Sequence, residues 1–291
     1  MAVTTPFQCL TLSLLLLPPL FITAYFFTQF PHAPEIPYIH PSLASLPRTS
    51  KSWDIYSEDF YDGGAYVSLP FGRRTVRRLI IFSTHVKVVL IHGLSVPAMI
   101  WRDVAPALAS RGYRVLLYDL YGRGYSDAPQ VTYDASLYAT QLALLMQHVK
   151  WDKAFIAGVS MGGGIAAAFN HHFPHLVDGK VALIASAGLI ELVRIQSAHL
   201  PGYNPALASS LRDGPIRGLN SAFKELGASS HDVLLIWGTA DNTVPYKYAA
   251  RMKALVPQSR LITIQDGGHD LTISHPDTII TALAGFFRAK K

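Results

Sequence analysis

The sequence predicts an α/β domain with a mostly parallel central sheet, helices on both faces and a short cap insertion, preceded by an N-terminal transmembrane segment. Three observations carry that expectation. Continuous apolar runs at Lys87-Val88-Val89-Leu90-Ile91 and Val233-Leu234-Leu235-Ile236-Trp237 lack period-two alternation, as strands buried on both faces do. Strand-like and helix-like stretches alternate beyond residue 87, the rhythm that builds a parallel sheet. Residues 7–27 hold no charged side chain and are crowded with Leu and Phe, long enough to cross a hydrocarbon layer of about 30 Å.

The apolar run contains Pro18-Pro19, which kinks a spanning helix but is better tolerated in lipid than in water. No Lys or Arg precedes it and no clear Ala-x-Ala site follows. Residues 1–30 therefore read as a retained single-pass membrane anchor; a cleaved signal, which would make the protein secreted, is the competing reading. Cys9, the single cysteine, lies inside this run, so no intramolecular disulfide can staple the chain. Pro31, Pro34, Pro37, Pro41 and Pro47 mark residues 31–60 as a semi-extended linker. Residues 61–291 are ample for one domain with a substantial core.

That domain opens with a hairpin, strands at 65–69 and 76–82 joined near Phe71-Gly72. Between them Arg73-Arg74-Thr75-Val76-Arg77-Arg78 is the densest cationic run in the chain. A formal net charge of +6 raises nucleic acid as a partner, but the cations are not spread along a helix and no stacking-aromatic pattern accompanies them, so none is expected. The cluster reads as a solvated strand face, with anionic headgroups near the anchor as the sharper alternative.

Ser95 and Pro97 begin a helix through Trp101, Val104 and Leu108, with proline in the first turn where its missing N–H costs little. A strand at 113–118 ends at Asp119, and a helix over about 133–149 carries Leu137, Gln141, Leu144, Leu145 and His148 mostly on one stripe. Another strand occupies 181–185. The insertion at 189–231 is broken by Pro201, Gly202, Pro205, Gly214, Pro215 and Gly218, leaving room for two short helices at best. Helices at 246–256 and 276–288 complete the cover.

The stretch Phe155-Ile156-Ala157-Gly158-Val159-Ser160-Met161-Gly162-Gly163-Gly164 runs an apolar strand into Gly-x-Ser-x-Gly and then into an alanine-rich helix. Two glycines without Cβ atoms let strand and helix approach until the serine stands strained and exposed at the apex. A serine hydroxyl becomes a nucleophile only beside a base that takes its proton. Imidazole, ionising near neutrality, suits that role, and a carboxylate on its far nitrogen fixes the tautomer. The loop after the 233–238 strand offers Asp241, and Leu261-Ile262-Thr263-Ile264 leads into Asp266-Gly267-Gly268-His269. Serine, acid, histidine, each on a loop following a strand, is one of three chain orders that serve this chemistry.

On these residues the sequence resembles the α/β-hydrolase fold family, specifically its serine esterase and lipase-like members, from about Tyr61 to the C-terminus. The carriers are His92-Gly93, Asp119-Leu120-Tyr121-Gly122-Arg123-Gly124-Tyr125-Ser126, Gly158-Val159-Ser160-Met161-Gly162, Gly238-Thr239-Ala240-Asp241 and Gly267-Gly268-His269, in one order. The resemblance implies Ser160 as nucleophile, His269 as base and then acid, Asp241 as the carboxylate orienting the imidazole, and the backbone N–H groups of Leu94 and Met161 as an oxyanion hole. It implies neither a metal nor an organic cofactor. Many relatives carry a long helical cap; a shorter one here implies a pocket that is shallow and open, or completed by a membrane surface.

The activity expected is hydrolysis of small lipophilic carboxylic esters with an apolar acyl chain, through an acyl-enzyme at Ser160, failing in acid as the imidazole protonates. Acyl transfer to an alcohol uses the same triad; some transferring relatives carry Asp five residues after the histidine, where this chain has Ser274. A non-catalytic binding protein retaining the fold is a third reading. Haloalkane dehalogenase and epoxide hydrolase chemistries need a carboxylate where this chain has Ser160. Asp119 reads as a structural carboxylate capping local N–H groups, and Glu191 is the reserve for the acid. His171-His172 read as the exposed end of a helix, since helical neighbours point about 100° apart and share one ion poorly. His275, before Pro276, begins the last helix.

Overall fold

The computed structural model describes residues 18–19, 21–22, 37–70, 72–80, 86–185, 190–216 and 218–288, with 72–80 and 190–194 as backbone alone. Eight strands form one sheet: β1 (Gly64–Leu69), β2 (Gly72–Ile80), β3 (Lys87–Ile91), β4 (Arg114–Tyr118), β5 (Ala154–Val159), β6 (Val177–Ile184), β7 (Asp232–Gly238) and β8 (Arg260–Ile264). Their order in space is β8-β7-β6-β5-β3-β4-β2-β1. Strands β3 to β8 are parallel, whereas β2 runs antiparallel to both β1 and β4. The arginine run lies on β2, and the side chains of residues 72–80 are outside the described ones.

Besides two four-residue helical turns, Ser52–Ile55 and Leu271–Ser274, the helices among the described residues are α1 (Val104–Ser110), α2 (Ala135–His148), α3 (Met161–His172), α4 (Ile190–His199), α5 (Tyr203–Arg212), α6 (Asn220–Ala228), α7 (Lys247–Leu255) and α8 (Pro276–Arg288). Successive strand residues point to opposite faces, and here both faces are covered. Val88, Leu90, Val115 and Leu117 pack with Val104, Leu108, Leu283 and Phe287 of α1 and α8. Val89, Ile91, Leu116 and Ile156 pack with Leu142, Leu145, Ile165, Phe169 and Leu226 of α2, α3 and α6. This double burial is why the strands read as unbroken apolar runs, each such side chain contributing roughly 1.5–3 kcal/mol. Lys180 Nζ donates to the carbonyls of Phe286 at 2.7 Å and Phe287 at 3.2 Å, capping the C-terminal end of α8 with a cation where the helix dipole favours one.

Several expectations are corrected. In place of a continuous helix from Ser95 to Leu108, residues Ala98–Trp101 form a 3-10 turn and α1 starts at Val104. Pro106 explains the break: in a continuous helix it would sit in the interior and remove a ladder bond, whereas in α1 it occupies the first turn. On α2 the buried stripe includes Tyr138, Gln141, Leu142, Leu145 and Met146, with His148 exposed. The insertion holds three helices, because Pro201-Gly202 and Gly214-Pro215 fall between helices and Pro205 in a first turn. Of these, α6 packs beside α3 as sheet cover, leaving α4 and α5 as the cap.

The compact unit begins at Tyr38, not at residue 61. Ile39–His40 pairs antiparallel with Ala128–Pro129, and Leu43 and Tyr56 are fully buried against the core, so the linker expectation for 31–60 fails over 38–60. Apolar side chains at 43 and 56 outweigh the prolines around them. The expected span at 7–27 lies outside the described residues except for 18, 19, 21 and 22. Among the described residues no helix is long and apolar enough to cross a membrane.

Candidate active site

Between β3 and β5 the strand order reverses: β4 lies on one side of β3 and β5 on the other. Loops leaving the carboxyl ends of these two strands diverge there and open a crevice. Ser160 follows β5, and Gly93 follows β3. Ser160 has φ 54° and ψ −123°, a left-handed conformation that L-residues adopt only under constraint. The constraint is steric. A Cβ on Gly158 would overlap the carbonyl of Gly162, and one on Gly162 would overlap the carbonyl of Ile91. The backbone is further held by Ser160 N donating to Ile184 O at 2.6 Å and Gly163 N donating to Ser160 O at 2.9 Å. Met161, next in sequence, is the first residue of α3, where backbone donors lack helical partners and the dipole favours negative charge.

Asp241 and His269 arrive from the loops after β7 and β8, which press together. Ala240 N donates to Gly267 O at 3.0 Å, and Thr239 N donates to Ile264 O at 3.0 Å. The structure brings the three predicted side chains into one line: His269 Nε2 lies 3.2 Å from Ser160 Oγ and His269 Nδ1 lies 2.7 Å from Asp241 Oδ2. An ionised carboxylate only accepts, so Nδ1 carries the hydrogen and Nε2 presents its lone pair to the serine. Asp241 Oδ1 accepts from Thr243 N at 2.9 Å and Val244 N at 2.7 Å, and its side chain is wholly buried. Two backbone donors on one oxygen pin the buried carboxylate, and its other oxygen is left to orient the ring.

The loop carrying Leu94 is held from beneath. Gly93 runs so close to the elbow that a Cβ there would stand 3.3 Å from that of Ser160. His92 is fully buried, its Nδ1 donating to Gly93 O at 2.8 Å and its Nε2 accepting from Leu120 N at 2.8 Å. Desolvation pushes its pKa down from 6.5 to about 3, so the ring is neutral and its two nitrogens keep these opposite roles. Arg123, also fully buried, donates through Nε to Leu94 O at 2.8 Å. Neither role is marked by a local sequence pattern. Arg123 reads as one cation inside a glycine turn; Gly122 at φ 76° and Gly124 at φ 53° are what direct that turn, and the sequence does not show which way its side chain faces.

Asp119 accepts from Tyr125 N at 2.9 Å, the local capping expected of it, and also ties in distant segments through Ala98 N at 2.8 Å and the Tyr56 hydroxyl at 3.1 Å. Glu191 lies in the first turn of α4, its side chain outside the described residues. His171 and His172 end α3 in exposed positions, and His171 Nδ1 contacts Glu225 of α6. His275 accepts at its carbonyl from Ile279 N at 3.1 Å, opening α8. No group of three or more His, Cys, Asp or Glu suited to a metal ion occurs among the described residues.

Comparison with known proteins agrees with this architecture. A family model described as alpha/beta hydrolase fold matches residues 87–215, and one described as TAP-like protein matches 206–291. The chain belongs to the α/β-hydrolase fold family. It is 26% identical to a 2-hydroxy-6-oxo-2,4-heptadienoate hydrolase of Pseudomonas putida, over 70% of this chain and 89% of that one. It is 35% identical to a soluble epoxide hydrolase of a Corynebacterium species, over 43% of this chain and 46% of that one. The crystal structure of the enol-lactonase from Burkholderia xenovorans superposes with TM-score 0.67 at 19% identity, covering 77% of this chain and 100% of the other.

Proposed function

We propose that the protein is a serine hydrolase that cleaves carboxylic esters bearing an apolar acyl chain, with Ser160 as nucleophile, His269 as base and Asp241 as its orienting acid. The observation that carries this reading is the pair of contacts made by one ring: 3.2 Å from Nε2 to the serine oxygen and 2.7 Å from Nδ1 to the buried carboxylate. Neutral His269 takes the Ser160 proton as Oγ attacks the ester carbonyl, and the imidazolium that forms is stabilised by Asp241. The oxyanion is received by the N–H groups of Leu94 and Met161, the second backed by the dipole of α3. His269 then protonates the departing alcohol. Water, deprotonated by the same ring, opens the acyl-enzyme.

The epoxide hydrolase resemblance does not extend to mechanism, because attack by a carboxylate would need Asp or Glu at position 160. Transfer of the acyl group to an alcohol is the nearest alternative, and Ser274, where some transferring relatives carry aspartate, speaks for water. Residues 7–27 are further proposed as an anchor that keeps the domain beside lipophilic substrates. Labelling with a fluorophosphonate probe tests the central claim. Wild type is expected to label and Ser160→Ala not to; a folded wild type that fails to label would refute it. Product analysis with a competing alcohol separates hydrolysis from transfer.

A further inference from the structure

Three consecutive carbonyls of the loop after β3 are each held by a side chain. Gly93 O accepts from His92 Nδ1 at 2.8 Å, Leu94 O from Arg123 Nε at 2.8 Å, and Ser95 O from the Tyr203 hydroxyl at 3.0 Å and Gln196 Nε2 at 3.3 Å. The last two come from the cap helices α5 and α4. Arg123 spreads its other arms to Tyr121 O at 3.1 Å, the Tyr138 hydroxyl at 2.8 Å and Ser210 Oγ at 2.8 Å. The hydroxyl hydrogens are then determined. Ser210 donates to Ala206 O at 2.7 Å, so it accepts from Tyr138, which in turn accepts from Arg123. All four partners of the guanidinium are uncharged. A cation with no exposed surface is expensive to keep there. What it does in return is join the Leu94 backbone, the Gly122-Arg123-Gly124 turn, α2 and the cap.

We propose that Arg123, with Tyr203 from the cap, is a positioning residue for the Leu94 N–H. By immobilising the carbonyls of Leu94 and Ser95, these side chains fix the two peptides that follow the Leu94 N–H and so aim that N–H at the place where the ester oxygen becomes negative. This rests on the assignment of Ser160 and Leu94 proposed above. A peptide donor stabilises an oxyanion only along its own direction, so freeing the loop by about 1 Å costs on the order of a hundredfold in turnover while the acyl chain binds as before. Lysine does not replace Arg123, because one ammonium cannot span four acceptors set out for a planar fork.

The test compares wild type, Arg123→Lys, Tyr203→Phe and a control, Lys180→Met, which loosens α8 far from the site. Turnover of p-nitrophenyl butyrate is measured together with inhibition by an alkyl trifluoromethyl ketone, whose adduct with Ser160 carries an oxyanion. Circular dichroism monitors folding. Arg123→Lys is expected to lower kcat about a hundredfold with KM within about threefold, and to weaken the ketone by the same factor. Tyr203→Phe, lacking one hydroxyl, is expected to lower both about tenfold, and Lys180→Met to lower thermal stability without changing either. The proposal is overturned if folded Arg123→Lys keeps wild-type kcat and ketone affinity, or if the turnover loss is not shared by the ketone. Should Arg123→Lys not fold, wild-type values in Tyr203→Phe overturn it alone. A wild type inert to ester and fluorophosphonate alike would instead remove the Ser160 assignment beneath it.

Discussion

Gly238 and Gly267 meet backbone to backbone: a Cβ built on Gly238 would overlap the carbonyl oxygen of Gly267. This contact sets the spacing of the loops that carry Asp241 and His269. Gly238→Ala must push the two loops apart, which costs about 1–3 kcal/mol of stability as an overpacking change. It is expected to reduce kcat at least tenfold by lengthening the contact between carboxylate and imidazole. Urea unfolding and ester kinetics on the same preparation check both effects; unchanged kcat would show that the loops tolerate separation.

Asp241→Asn preserves shape but presents an amide to His269 Nδ1. An amide that donates there leaves the ring with its hydrogen on Nε2, the wrong face for a base. Turnover is expected to fall by about 10³–10⁴, and fluorophosphonate labelling to slow in parallel, while near-ultraviolet circular dichroism stays native. A loss under tenfold would return attention to Glu191.

His92 links acid to unfolding. The unfolded chain takes up a proton on this ring below the ordinary value of 6.5, whereas burial delays uptake in the folded protein to about 3. Across that window the unfolded state binds more protons, so stability falls as pH falls, by about 1.4 kcal/mol per pH unit from this group. Urea midpoints between pH 4 and pH 6.5 are expected to decline more steeply in wild type than in His92→Gln. Equal slopes would mean that the ring is hydrated in solution.

Truncation distinguishes the segment before Tyr38 from the strap after it. A chain starting at residue 37 is expected to fold with wild-type cooperativity. One starting at residue 61 loses Leu43 and Tyr56, both fully buried, and is expected to aggregate or unfold broadly. In cells, full-length protein is expected in the membrane fraction, resistant to alkaline carbonate, and the chain from residue 37 in the supernatant. Carbonate release of full-length protein would remove the anchor from the account.

Much of the site was legible in the sequence because its parts follow from sterics that leave few alternatives. A serine at a strand-to-helix corner needs Gly158 and Gly162, and from that motif the resemblance to a known family pointed on to Asp241 and His269; the close approach of Gly238 and Gly267 is visible only in the fold. What was hidden depends on approach across the fold. His92 is tied to Leu120 and Arg123 to Ser210, partners 28 and 87 residues away, and no local pattern marks a cation that turns inward. Prolines between 31 and 47 read as a linker because local stiffness is visible in sequence and the packing of Leu43 is not. The breakers of the cap mislead for the opposite reason: they punctuate helices, and their number resembles a lack of them.

The backbone angles of Ser160 have a further consequence for how such a chain persists. Ser160→Gly would relax a corner that Ser160→Ala leaves taut, and is expected to melt at higher temperature than either the alanine variant or the parent, the released strain being about 1–3 kcal/mol less the added freedom of the unfolded glycine. Durability therefore favours glycine at this corner, because the strain belongs to the β-carbon that carries the hydroxyl. A lineage that keeps serine at this corner forgoes stability in every generation, which ties retention of residue 160 to what the hydroxyl does and not to how the protein stands.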